Sequence, residues 1–179
     1  MAGPDCLADE VLSGLMGGVP VRTGRVAPEA GAVPREFEPV TVVACRLDVG
    51  EPLAEPETPE PRPLASGYDP SQAEPAVPGG GTDAGTWLSV TVEEVTLTGD
   101  LEPLLEALSR PSELIPDGLA CPAIMETKPE IYLVDAGGRA VRPQWPVTAC
   151  GFLHDGAAET LSALQEVSST TGVATVEAG

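Results

Sequence analysis

A chain of 179 residues with 42% hydrophobic content can bury one domain core, which excludes complete disorder. Nine basic residues against 28 acidic ones leave a net charge of −19, so neither a nucleic-acid backbone nor an anionic membrane surface is a partner. The single histidine, His154, excludes multi-histidine metal sites, the absence of asparagine excludes N-glycosylation, and no apolar run is long enough to span a membrane.

Residues 1–35 read as an irregular segment with one short helix, LADEVLSGLM (7–16), capped by Asp5 and stopped by Gly17 and Gly18. A single domain follows over 36–167. It opens with EPVTVVACRLD (38–48), a β-branched run that reads as a strand. Residues 51–85 then hold eight prolines and five glycines among acids, and EPETPEPRP (55–63) has polyproline II spacing. This stretch reads as a mobile, disordered acidic loop inside the domain, because the 38–48 strand must pair across it.

TWLSVTVEEVTLT (86–98) alternates, with Leu88, Val90 and Val92 on one side and a shift at Glu93–Glu94 that suggests a bulge. Asp100 caps a helix with Leu101, Leu104, Leu105 and Leu108 on one face, and Pro111 marks its exit. After irregular residues 110–129, EIYLVD (130–135) is a strand, DAGG (135–138) a turn, and 139–147 a return strand pushed to an edge by Pro143 and Pro146. Asp155 is expected to cap a second helix over 156–167. Residues 168–179 read as a short strand or a tail. The order is β-β-α-β-β-α: an α+β fold with a small antiparallel sheet and two helices.

Cys6, Cys45, Cys121 and Cys150 are even in number and lack zinc-site spacing, which points to two disulfides in an oxidising compartment. Three connectivities exist. The pairing Cys6–Cys45 with Cys121–Cys150 is preferred, since the second brackets a compact segment and the first anchors the N-terminal region. The competing reading is four reduced cysteines in a cytosolic protein. Residues 1–18 lack a basic n-region, and Asp9, Glu10 and Gly14 break their apolar run, so they are not expected to act as a signal segment. The expectation is a secreted or cell-surface protein, with residue 1 reflecting a trimmed chain or a misplaced start.

No catalytic site, metal site or cofactor emerges. His154 sits in a turn with no GxSxG nearby, GGGTDAG (79–85) lacks the GK[ST] of a phosphate loop, and no DxDxDG register exists for calcium. Arg139 and Arg142 beside Trp145 form a candidate contact patch, since arginine and tryptophan are enriched at binding hot spots. The alternative is that Trp145 only packs the hairpin onto the core.

FEPVTVVACRLD, GTWLSVTVEEVTLTGDLEPLLEALSRPSE, ACP and IYLVDAGGRAVRPQWPVTACGF stand in that order over residues 36–152. This string resembles a group of uncharacterised secreted or lipid-anchored actinobacterial (Streptomyces-type) proteins, and carries no activity with it. The 51–85 insertion and the missing export signal depart from that group. A second resemblance is to the Streptomyces subtilisin-inhibitor family, which shares a GDL helix, a Cys-Pro loop, a hairpin and a closing cysteine. It implies an inhibitor loop at Pro122, Ala123 and Ile124, with Ala123 presented to the protease. The segment from Cys121 to Pro129 is longer than the family's, with Glu126 and Lys128 inserted, and the asparagine before the last cysteine is absent.

The sequence therefore leads to a secreted or cell-envelope, non-catalytic domain that binds an unidentified protein or envelope component. The two alternatives are a subtilisin-inhibitor-like serine protease inhibitor and a hydrolase that uses carboxylates alone.

Overall fold

The computed structural model describes residues 3–48, 86–124 and 126–178. The expected mobile loop at 51–85 lies outside the described residues. The elements run α1 (Asp9–Leu15), β1 (Pro39–Leu47), β2 (Thr86–Thr98), α2 (Glu102–Ser109), β3 (Glu130–Asp135), β4 (Ala140–Val141), α3 (Glu159–Ser162) and β5 (Gln165–Ala178). The strands form one antiparallel sheet in the order β4-β3-β1-β2-β5.

β1 is central because its side chains are apolar in both directions, so both of its faces can be covered. Val43 and Cys45 join Val92, Tyr132, Ala174 and Val176 beneath α1, whose Val11 and Leu12 are fully buried. Val42 and Ala44 point the other way, into a second core with Val95, Leu97, Ile131 and Leu133. Leu104, Ala107 and Leu108 of α2 cover that core, and Trp145 and Ala157 join them. The leucine face expected of residues 101–108 is thus the buried face of α2.

The disulfides join Cys6 to Cys45 and Cys121 to Cys150, each with Cα atoms 5.4 Å apart. The first stitches the segment ahead of α1 onto β1, and both its cysteines are buried. The second ties two connecting segments together.

Six expectations need correction. The helix expected over 156–167 shrinks to the four-residue α3, and Asp155 does not cap it. Of the short strand or tail expected over 168–179, the strand is present and longer: it is most of β5, a 14-residue strand that pairs along the whole of β2. The return strand expected over 139–147 pairs only at Ala140 and Val141, after which Pro143 forms a bridge to Gly31. The register shift in β2 falls between Thr96 and Leu97, against β5, and not at Glu93–Glu94. Asp5 and Asp100 also differ from their expected roles: each accepts a hydrogen bond from the N–H two residues on, forming a turn ahead of its helix.

Candidate functional site

Pro111 follows α2, and from there the described residues run without helix or strand to Glu130. Proline recurs at 116 and 122, which removes backbone donors and stiffens the path. Pro116 and Leu119 close a turn at 3.2 Å in which Gly118 takes a positive φ of 79°. The segment lies outside both cores. Among its described residues the large apolar ones are open to solvent: Leu114 is 90% exposed, Ile115 74%, Leu119 43% and Ile124 67%.

A second irregular segment supports it. Val147 and Leu153 bridge, Thr148 N–H donates to Phe152 at 2.8 Å, and Gly151 N–H donates to Thr148 at 2.8 Å, which makes a small hairpin with Cys150 at its tip. Four hydrogen bonds join the two segments. Glu113 N–H donates to the Val147 carbonyl at 2.8 Å, and Val147 N–H donates to Ser112 Oγ at 3.2 Å. Glu113 Oε2 accepts from Ala149 N–H at 2.9 Å, and Glu126 Oε2 accepts from Leu153 N–H at 2.6 Å. The Cys121–Cys150 disulfide lies between these carboxylate contacts. A cleft of about 450 Å³ opens behind the loop, between Ile124, Lys128, Gly151 and Phe152.

Pro122, Ala123 and Ile124, the positions singled out by the inhibitor resemblance, are all exposed on this loop next to the disulfide. Arg139, Arg142 and Trp145 are placed differently. Trp145 is 6% exposed and donates Nε1–H to the Pro129 carbonyl at 2.7 Å. Arg139 holds Asp135 at 2.6 Å, and Arg142 holds Glu130 at 2.9 Å. A contact patch needs an open tryptophan and free guanidinium groups, so these three residues brace the β3–β4 hairpin instead.

Burial pushes the Glu130 carboxyl above its ordinary range, while the Arg142 guanidinium pulls it down. Three acids at the clefts are engaged: Glu126 by Leu153 N–H, Glu130 by Arg142 and Asp5 by Arg25. His154 Nε2 and Thr148 Oγ1 are buried without a hydrogen-bond partner. Among the described residues no three His, Cys, Asp or Glu side chains come together as metal ligands. No helix among them is long and apolar enough to cross a membrane.

Sequence reasoning located the loop through its cysteine and proline and placed Glu126 in it, but missed Leu114, Ile115 and Glu113 as parts of it and the contact Glu126 makes with Leu153. A signal existed: apolar residues between prolines, with no helical or strand period, have no core to enter. No family model, curated protein or solved structure matches this chain.

Proposed function

We propose that this chain is a non-catalytic binding domain of a secreted or cell-surface protein, and that it offers the 111–127 loop to a partner protein. The observation that carries this reading is the exposure of Leu114, Ile115, Leu119 and Ile124 on one disulfide-braced loop. Apolar surface concentrated on one segment gains free energy only when a partner covers it. The two disulfides fit an oxidising compartment. The test is capture of a partner from culture supernatant by the native chain, compared with Leu114→Asp and Ile124→Asp. Both variants should lose the partner, and undiminished capture by both would move the binding surface elsewhere.

A second reading, serine protease inhibition, is favoured by the exposed Cys121-Pro122-Ala123-Ile124 stretch. It rests on the likeness to the Streptomyces subtilisin-inhibitor family, which would present Ala123. A methyl side chain suits a protease with a small specificity pocket, of the elastase kind. Such a protease should be inhibited stoichiometrically, and Ala123→Lys should transfer inhibition to a trypsin-like protease. Absence of inhibition in both pairings leaves the binding domain without this activity.

A further inference from the structure

We infer that Glu113 and Glu126 are positioning residues that strap the binding loop to the 147–153 hairpin and divide it into two independently held bows. This deepens the proposed function and rests on that reading of the loop. Several acids of the chain accept backbone N–H groups, and these two do so across the gap between the loop and the hairpin. Their targets flank the disulfide. Glu113 reaches Ala149, just before Cys150, while Glu126 reaches Leu153, just after it. Along the loop the ties run Glu113, Cys121, Glu126, and along the hairpin they run Ala149, Cys150, Leu153 in the same order. The loop is therefore laced to the hairpin at three points.

The lacing leaves a longer bow from 113 to 121, which carries Leu114, Ile115 and Leu119. It also leaves a shorter bow from 121 to 126, which carries Pro122, Ala123 and Ile124. Closing a short bow leaves its residues little freedom to lose when a partner arrives. Neither carboxylate needs to touch the partner to have this effect. Each acts through the backbone it holds, so loss of one tie should loosen its own bow and leave the other in place, less at the 113 end, where Glu113 N–H and Ser112 Oγ still hold Val147.

The experiment uses the full chain with its disulfides intact. Backbone amide exchange is measured at Ala149 and Leu153, together with the rate and position of loop cleavage by a small amount of subtilisin. In the native chain both amides should be protected. Glu126→Ala should expose Leu153 N–H and speed cleavage within 121–126 by about tenfold, and Glu113→Ala should expose Ala149 N–H and speed cleavage within 113–121 by a smaller factor of about threefold, because Val147 stays bonded to Glu113 N–H and Ser112 Oγ. Glu126→Gln and Glu113→Gln keep an acceptor oxygen and should restore protection and slow cleavage. Free-peptide exchange at both amides in the native chain overturns the proposal without recourse to any variant. So does cleavage of both alanine variants at the native rate, or acceleration spread evenly over both bows. These readouts need no partner. A loop that opens as described while partner capture is unchanged would sink the binding role and leave the strapping intact.

Discussion

Gly14 of α1 lies so close to Glu130 of β3 that a Cβ on Gly14 would meet Glu130 Cδ at 2.8 Å and its Oε1 more tightly still. Glu130 has no room to swing aside, because Arg142 Nη2 holds its Oε2 at 2.9 Å with both side chains largely buried. Ordinarily alanine replaces glycine in a helix with a gain of about 1 kcal/mol. Here the clash costs more than that gain, so Gly14→Ala should destabilise the chain by a net 1–2 kcal/mol, roughly. Thermal denaturation should show a lower Tm, and an unchanged or higher Tm would mean that Glu130 moves freely.

Removing Arg142 should cost more. Arg142→Ala leaves a largely buried carboxylate with its opposing charge gone, a loss of roughly 3 kcal/mol. Glu130→Gln in the same background should recover part of it, since a neutral amide tolerates burial better. Chemical denaturation of the two variants checks the order, and equal stability would count against an ion pair that matters.

Tyr132 should titrate late. Its ring is fully buried, its hydroxyl donates to the Asp5 carbonyl at 2.9 Å, and burial pushes its pKa up to about 12. Because the folded value exceeds the ordinary 10.0, the stability it contributes is complete below pH 10.0 and is lost as pH rises toward about 12. Phenolate absorbance should show one of the two tyrosines ionising with a midpoint of about 12, and Tyr132→Phe should abolish that step.

Asp135 works at the opposite end of the pH scale. Its Oδ1 accepts from the Arg139 and Gly137 N–H groups at 3.0 and 2.9 Å, and its Oδ2 accepts from Arg139 Nε at 2.6 Å. The Arg139 backbone N–H is the main reason its carboxyl lies below the ordinary 3.8. A depressed carboxyl contributes stability that is present above pH 3.8 and lost as pH falls through the folded value. Tm measured against pH should fall below about pH 4, less steeply in Asp135→Asn, and parallel curves would remove Asp135 from acid unfolding.

The two disulfides should part company under mild reductant. Cys121 is exposed, whereas Cys6 and Cys45 are both buried in the core beneath α1. Thiol labelling followed by mass spectrometry should find Cys121 and Cys150 modified first, with the fold retained. Loss of either crosslink is worth about 3.5–4 kcal/mol from loop entropy. Cys6–Cys45 should cost still more, because its reduction also frees the anchor of α1. Labelling of Cys6 and Cys45 first would contradict this.

Much of the sheet was legible because β1, β2 and β3 carry strong apolar patterns that fix their positions in the chain, though not their register. The Glu130–Asp135 strand and the leucines of α2 follow directly from such periodicity. β5 was harder to read. Most of its residues up to Val173 face solvent, so only Ala174 and Val176 mark an inward face, and the apolar Ala158, Leu161 and Leu164 just ahead imitate a helical stripe. Its β-branched content from Val167 to Val176 was the signal that outweighed that stripe. The loop's lacing was invisible, since nothing in spacing reveals which of 28 acids turns back onto a backbone N–H.

The pairing of β2 with β5 also sets the order in which the molecule can be assembled. Thr98 meets Gln165 at one end of the ladder and Thr86 meets Ala178 at the other, so β2 waits for a partner synthesised long after it. Until then the outer edge of β2 is an open, β-branched template that could recruit the wrong strand. High contact order of this kind slows folding, and a nascent chain that must also form two disulfides is exposed for that whole interval. Chaperone or export machinery that keeps residues 86–98 covered until residues 165–178 emerge would decide how much of this protein reaches its native state.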